Sequence, residues 1–166
     1  QRARLLNTLL VPFEADYTVN LRRAPDVKQA CAAVWGAPNE TTTPSVASLR
    51  ELLGITSSAE WRRVGIEIPE LGEGPNNRIF PHYGVFSPVR GEYIKLVATA
   101  HLPKHVAGQD ALVAFDIGTG TGVLAAVLAQ RGVEKIIATD QEPRALVCAR
   151  ENLAKLGLED IVELVQ

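Results

Sequence analysis

The stretch Val113-Ala-Phe-Asp-Ile-Gly-Thr-Gly-Thr-Gly-Val123 decides the fold, together with Ile136-Ile-Ala-Thr-Asp140. An apolar run leads to Asp116, three glycines follow at every second position, and a second apolar run ends in Asp140. This order predicts a strand, a glycine turn, a helix and a second strand with an acid at its end. Glycine lets the backbone approach a ligand closely, and an acid after the second strand can accept the hydroxyls of a ribose. The pattern therefore predicts a nucleoside-binding βαβ unit.

The glycine pattern separates several kinds of nucleotide site. The dinucleotide fingerprint G-x-G-x-x-G needs a third glycine where this chain has Val123, which disfavours an NAD-dependent oxidoreductase. A P-loop needs a lysine directly after its last glycine, and no lysine occurs between Lys104 and Lys135. An ordinary βαβ unit that binds no ligand is a further alternative, although glycine is costly in helices and strands.

An acid two residues before the first glycine, followed by G-x-G-x-G, resembles motif I of the class I S-adenosylmethionine (SAM)-dependent methyltransferases. The helix Cys148-Ala-Arg-Glu-Asn-Leu-Ala-Lys-Leu-Gly157 extends this resemblance, which covers residues 80–166. The resemblance implies SAM as the cofactor, with Asp116 near the methionyl amino group and Asp140 on both ribose hydroxyls. The remaining cofactor-binding residues that we expect are Gly118, Thr119, Gly120, Gly122, Gln141 and Arg90.

The segment before the first motif strand resembles the pre-motif of the N5-glutamine methyltransferases that modify release factors. Arg90 and Glu92 fall on the arginine and the first acid of its proline-arginine-acid stretch. An extra residue separates Pro88 from Arg90, and Tyr93 and Ile94 replace the threonine and second acid of that group. The resemblance implies methyl transfer to an amide or exocyclic amine nitrogen, and both protein and nucleic-acid acceptors stay open. A surface ion pair between Arg90 and Glu92 is the alternative.

Composition sets the broad class of the protein. The chain has 166 residues, 46% apolar and 22% charged, with a net charge of −2, which is typical of a globular domain with a small appendage. No apolar run approaches the ~20 residues that cross a bilayer, so we expect a cytoplasmic protein without membrane contact. Cys31 and Cys148 do not have metal-ligand spacing, so no metal site is predicted, and both are expected to be buried. Neither half has the strongly basic character of proteins that bind nucleic acid through phosphates.

The amino-terminal part reads as a series of short helices. Helices are predicted over Arg2–Leu10, from Asp26 to Trp35, from Thr43-Pro44 to Gly54, and after the Ser57–Glu60 capping box. Residues 64–68 alternate like a strand, and the Gly- and Pro-rich residues 69–77 read as a loop and domain boundary. We expect residues 1–75 to form a small helical domain that recognises the acceptor, by analogy with the glutamine methyltransferases.

Residues 76–166 are expected to contain the SAM-binding domain, an α/β fold with a Rossmann-like class I methyltransferase sheet. A helix is predicted to begin at Ser87-Pro88 and to end before Pro103. The motif elements are then strand 1 at 111–117, a helix at 122–131, strand 2 at 135–139, a helix from Pro143 to Gly157, and strand 3 at 161–165. The family sheet has seven strands, with strand 4 beside strand 1. Strand 1 is therefore expected to be an apolar edge that can mediate self-association.

The catalytic tetrapeptide that the amide- and amine-methylating branch carries after strand 4, Asn/Asp-Pro-Pro-Tyr/Phe, does not occur in this sequence. We therefore predict no catalytic residue in this chain. The expectation is an amino-terminal fragment of a longer SAM-dependent methyltransferase that does not transfer methyl groups by itself. The alternative function is a non-catalytic SAM-binding or interaction module.

Overall fold

The computed structural model describes residues 1–103 and 111–166. The chain divides into two compact units, Gln1–Trp61 and Arg62–Gln166. This division falls within a helix and not in the loop at residues 69–77. Residues 62–75, which the sequence-based boundary assigns to the amino-terminal domain, therefore belong to the second unit.

The first unit combines helices with a small sheet. Its elements are α1 Arg2–Thr8, β1 Leu10–Phe13, α2 Lys28–Trp35, β2 Ser45–Ser48 and the first part of α3 Leu49–Val64. Strands β1 and β2 are antiparallel, with Leu10 opposite Ser48. Phe13 is buried and its ring meets that of Trp35 edge to face, with centroids 5.2 Å apart. This unit is therefore mixed in secondary structure, and the prediction of only helices between residues 2 and 63 is wrong.

The prediction of two helices between Thr43 and Arg63 is also wrong. Residues 45–48 pair with β1, and a single helix α3 begins at Leu49, where the Ser48 hydroxyl accepts the Glu51 N–H at 3.1 Å. Gly54 lies inside this helix. A glycine in a helix interior costs only about 1 kcal/mol, less than burial of one large aliphatic side chain contributes, and Ile55 beside it is fully buried.

Two smaller differences concern the helix ends. Helix α1 ends at Thr8 because Leu10 already pairs with β2, whereas the sequence predicts a helix to Leu10. Helix α2 begins at Lys28, after an Asp26 side chain that accepts the Lys28 N–H at 3.1 Å. Its predicted end at Gly36 is confirmed, since this residue has a φ of 91°.

The second unit contains the parallel sheet. Its further elements are β3 Ile66–Glu67, a 3₁₀ turn at Pro69–Leu71, β4 Arg78–Ile79, α4 Glu92–Thr99, β5 Val113–Ile117, α5 Val123–Gln130, β6 Lys135–Thr139, α6 Pro143–Leu156 and β7 Val162–Val165. Strands β5, β6 and β7 are parallel and adjacent in that order, while β3 and β4 form a short antiparallel pair. The alternation of strands and helices from β5 to β7 agrees with the predicted α/β order.

The core of the second unit lies where the helices pack on this sheet. Val127 of α5, Ile136 of β6 and Ala149 of α6 are fully buried, and Leu153 of α6 is nearly so. The 3₁₀ turn and α4 add Leu71 and Ile94 to the same cluster. The predicted apolar stripe on α6 is therefore found. Cys148 is fully buried on the same helix, and Cys31 is fully buried in the first unit, as expected.

Strand β5 lies at the edge of the sheet formed by the described residues. Val113, Phe115 and Ile117 are 44%, 65% and 74% exposed. An apolar edge strand with unpaired backbone groups is a surface on which another strand can add. The exposed edge agrees with the expectation for strand 1, and self-association through it stays a prediction.

Helix α4 begins later than the sequence predicts. Residues 87–91 are irregular, with the Val89 N–H donating to the Ser87 carbonyl at 2.8 Å, and the helix starts at Glu92. The prediction of a helix from Ser87-Pro88 is therefore wrong: Val89 and Arg90 are exposed, and the first buried side chain within α4 is Ile94. Among the helices of residues 1–103 and 111–166, none has the length and apolarity that a bilayer span requires.

Candidate functional site

The glycine turn between β5 and α5 has a left-handed backbone at all three glycines. The φ angles are 77° at Gly118, 56° at Gly120 and 80° at Gly122. The N–H groups of Gly118 and Thr119 both donate to the Thr139 carbonyl at 2.8 Å. Residues with a Cβ adopt such φ values at a cost, so glycine is required at these positions. The turn is thereby fixed to the carboxyl end of β6.

The three glycines face different surroundings. A Cβ built on Gly118 would meet no atom within 4 Å, and one on Gly120 would meet only the Gly118 carbonyl oxygen at 4.0 Å. A Cβ on Gly122 would lie 3.3 Å from the Cβ of Ala149 and 3.4 Å from Cγ of Leu153. The first two glycines therefore border open space, whereas the third allows α5 to pack closely against α6.

Asp140 follows β6 and supports the turn. Its Oδ2 accepts the Gly120 N–H and its Oδ1 accepts the Glu142 N–H, each at 3.0 Å. A carboxylate has about four acceptor positions, so two bonds leave capacity for further donors. The side chain is half-buried at the edge of a cavity. Asp140 therefore orders the turn and can still bind hydroxyl groups.

This cavity has a volume of about 160 Å³. One wall comes from the segment Phe80–Phe86, which we call the strap. The cavity is lined by Gly84, Val85, Phe86, Gly118, Gly120, Asp140, Glu142, Arg144 and Ala145. Complete small-molecule sites enclose roughly 300–1,000 Å³, so this cavity accommodates part of a nucleoside-sized ligand. It brings together three of the residues predicted from the sequence, Gly118, Gly120 and Asp140.

Asp116 and Thr119 lie beneath the turn and do not line the cavity. Asp116 is only 7% exposed, and its Oδ2 accepts the Thr119 hydroxyl at 2.7 Å and the Ala125 N–H at 3.2 Å. Burial raises the pKa of the Asp116 carboxyl, and these two hydrogen bonds oppose that rise. The acid therefore joins the glycine turn to the first turn of α5.

The structure places Gln141 and Arg90 away from the cavity lining. Both side chains are exposed, and Arg90 lies in the irregular stretch before α4. The sequence reading also missed six lining residues, in the strap and at the start of α6. The sequence contains a signal for each group. Gly84 is a glycine at a position whose φ is 79°, and residues 142–145 directly follow Asp140.

Four N–H groups of the turn already have protein acceptors. Gly118 and Thr119 donate to Thr139, Gly120 donates to Asp140, and Gly122 donates to the Thr119 carbonyl at 2.9 Å. A phosphate-binding turn instead presents free N–H groups to its ligand. This turn therefore offers space and an acid, and few donors for a pyrophosphate. Within residues 1–103 and 111–166, no group of three His, Cys, Asp or Glu side chains is placed to hold a metal.

A family model, the methyltransferase small domain, matches residues 76–166, which is more than half of the chain. The chain belongs to the methyltransferase small domain family. The whole cavity lies within the matched segment. The resemblance to class I SAM-dependent methyltransferases that motif I and Asp140 indicated is thereby confirmed at the level of the family.

Curated relatives of the chain carry the name ribosomal protein L11 methyltransferase. The relative from Carboxydothermus hydrogenoformans is 43% identical over 65 residues, which cover 39% of this chain and 21% of the relative. That from Alkaliphilus oremlandii is 48% identical over 52 residues, covering 31% and 17%, and that from Myxococcus xanthus is 37% identical over 62 residues, covering 37% and 22%. The chain spans about a fifth of the length of these relatives.

Proposed function

We propose that this chain is the cofactor-binding part of a SAM-dependent N-methyltransferase. The supporting observation is a turn that is open at Gly118 and Gly120, donates the Gly120 N–H to Asp140, and has four of its N–H groups already bonded within the protein. SAM contains a ribose and no pyrophosphate, so it needs room and a hydroxyl acceptor more than it needs N–H donors. When bound, SAM supplies a methyl group on a positively charged sulfur.

The roles of the residues follow from their surroundings. Asp140 accepts the ribose hydroxyls with the capacity that its two backbone bonds leave free. Gly118 and Gly120 leave room for the methionyl part, and the negative charge of Asp116 beneath the turn attracts the methionyl ammonium. Gln141 and Arg90 stay predicted contacts of the cofactor. We propose no catalytic residue in this chain: its contribution is to bind and orient the donor.

The first test of this proposal is to measure, by calorimetry, the binding constants of the chain for SAM and for NAD. Asp140→Ala should weaken SAM binding tenfold or more, because a charged hydrogen bond contributes about 1.5–3 kcal/mol. Asp140→Asn should lose less, since one amide oxygen still accepts a backbone N–H. Asp160→Ala, the same change at an exposed acid outside the cavity, is the control. Binding of NAD in preference to SAM, or unchanged SAM affinity in Asp140→Ala, would contradict the proposal.

The acceptor is proposed to carry an amide or exocyclic amine nitrogen, and a protein is favoured over a nucleic acid. The curated relatives are named for a ribosomal protein, which supports a protein acceptor. A non-catalytic SAM-binding module is the second candidate. SAM binding without transfer to any acceptor in an otherwise complete protein would support this second candidate.

We propose further that the amino-terminal domain, residues 1–75, recognises that acceptor. The unit Gln1–Trp61 exposes large apolar side chains, with Leu10 and Val46 each 63% exposed on the β1–β2 sheet. Exposed apolar patches are typical of protein-binding surfaces. In a longer protein that contains this chain and transfers methyl groups, Leu10→Glu with Val46→Glu should reduce transfer to purified L11 tenfold or more and leave SAM affinity within twofold. Undiminished transfer by the double variant would place acceptor recognition elsewhere.

A further inference from the structure

The strap has no helix or strand of its own, yet it forms part of the cavity wall. Residues Gly84, Val85 and Phe86 line the cavity together with the glycine turn. A wall made from irregular backbone needs contacts from elsewhere to keep its place. Its polar contacts with the rest of the unit are concentrated on α6, while the Phe86 ring meets Tyr93 of α4.

Asn152 makes the central contacts. This α6 residue is 1% exposed, and its Oδ1 accepts the Phe80 N–H at 2.8 Å. Its Nδ2 donates to the Thr121 carbonyl at 3.0 Å and reaches the Phe80 carbonyl at 3.4 Å. One buried amide therefore joins the first residue of the strap, the glycine turn and the helix that lies behind both.

Other contacts between α6 and the strap are more exposed. His82 Nε2 lies 2.9 Å from Glu151 Oε2, and Lys155 Nζ lies 3.7 Å from the centre of the Phe80 ring. The Glu151 side chain is 45% exposed, so solvent weakens its ion pair. The bonds of Asn152 are shielded from water, and a buried polar partner that loses its bond is left unsatisfied. Asn152 is therefore the contact on which the strap depends most.

We propose that Asn152 is a positioning residue that fixes the strap relative to the glycine turn and so sets the shape of the cavity before a ligand binds. The identity of that ligand rests on the proposed function, whereas the joining of strap and turn does not. An apolar side chain of similar volume would fill the space and could accept or donate nothing. Both an acceptor for Phe80 and a donor for Thr121 are needed, which an amide supplies.

Amide hydrogen exchange of the ligand-free 166-residue chain tests the joining directly. Asn152→Ala should speed exchange of strap peptides at least tenfold more than exchange of peptides from β6 and β7. Leu158→Ala is the matched control, because it removes a buried side chain of the same core that does not line the cavity. That control should speed exchange evenly over the unit. Equal acceleration of strap and sheet in Asn152→Ala would overturn the proposal.

Asn152→Asp keeps the size and the acceptor for Phe80 but replaces the donor to Thr121 with an oxygen. We expect strap exchange in Asn152→Asp to approach that of Asn152→Ala, because the carboxylate faces carbonyl oxygens. This variant also decides the question if Asn152→Ala does not fold. Exchange of the strap and of the glycine turn as slow as in the unaltered chain would overturn the role of the donor.

The effect on binding separates this proposal from the proposed function. At a temperature where all variants are folded, Asn152→Asp should weaken SAM binding at least tenfold, and Leu158→Ala should change it less than twofold. Unaltered chain that binds no SAM would contradict the proposed function while the exchange experiment still decides the role of Asn152. SAM affinity that is equal in the unaltered chain and in Asn152→Asp would overturn the positioning role.

Discussion

The two ends of the glycine turn can be compared directly, because they share a residue type and a backbone conformation. Gly118 and Gly120 border the cavity, and a side chain there would occupy open space. Gly122 has a similar positive φ, yet its missing side chain makes room for Ala149 and Leu153 of α6. A regular G-x-G-x-G pattern therefore meets two separate demands, room for a ligand and close packing of two helices. Substitutions can separate them.

The largest effect is expected at the packed end. Gly122→Val should lower the free energy of unfolding by about 3 kcal/mol or more, because it adds a clash with Ala149 to an unfavourable φ. Urea denaturation measures this loss. Gly132→Val is the matched control, since Gly132 has a φ of 85° and no atom within 4 Å of a built Cβ. If both variants lost equal stability, backbone strain alone would explain the glycine and the packing role would be wrong.

At the open end the effect should fall on binding. Gly120→Val should reduce SAM affinity about a hundredfold, or roughly 2.7 kcal/mol, because its side chain would enter the cavity. Its loss of stability should be no larger than that of Gly132→Val, and its helix content by circular dichroism should be nearly unchanged. Normal SAM affinity in Gly120→Val would show that this end of the turn does not contact the cofactor.

The smallest effect is expected at Asp116, on the buried side of the turn. Burial raises the pKa of this carboxyl above its ordinary value of 3.8. When folding raises the pKa of an acid, the acid adds to the free energy of unfolding at a pH below its ordinary pKa. That contribution is lost as the pH rises through the pKa of the folded state. At pH 7, Asp116→Asn should therefore be at least as stable as the unaltered chain. That advantage should shrink towards pH 4.

The same variant should weaken SAM binding about tenfold, since it removes a charge beneath the methionyl ammonium. Thermal unfolding at pH 7 and pH 4, with calorimetry at pH 7, measures both quantities. A Thr119→Val control removes a hydrogen bond to Asp116 and keeps the charge. Full SAM affinity in Asp116→Asn would assign this acid to the turn alone.

The sequence predicted the cofactor unit well because its signals are local and strong. The bounds of β6, Lys135–Thr139, were predicted without error, and Gly157 ends α6 with a φ of 68° as expected. Such a segment combines an apolar run, glycines at positions with a left-handed backbone, and apolar residues at helical spacing. Few alternative structures fit all three signals. The three cavity residues predicted in advance belong to this segment.

The wrong predictions concern elements whose structure depends on contacts between residues that are distant in the sequence. Strands β1 and β2 have four residues each and are defined by pairing with each other, which no local pattern reveals. Helix α3 continues through Gly54 because Leu52 and Ile55 on either side of it are buried in the unit. The strap is held near the site by contacts with α6, among them the buried amide of Asn152, which lies 72 residues after Phe80 in the chain. Contacts of this kind become visible only when the helices have been placed.

Asp140 connects two processes that are usually measured separately. One of its oxygens accepts the Gly120 N–H, and the same carboxylate is proposed to accept a ribose. Thermodynamic linkage then requires the effect to be reciprocal. If ordering of the turn raises ligand affinity by a given factor, ligand binding shifts the equilibrium between the open and the ordered turn by the same factor. The free energy needed to break the hydrogen bond from the Gly120 N–H to Asp140 is therefore also a measure of the cooperativity between the turn and the ligand. A single side chain, that of Asp140, carries this cooperativity.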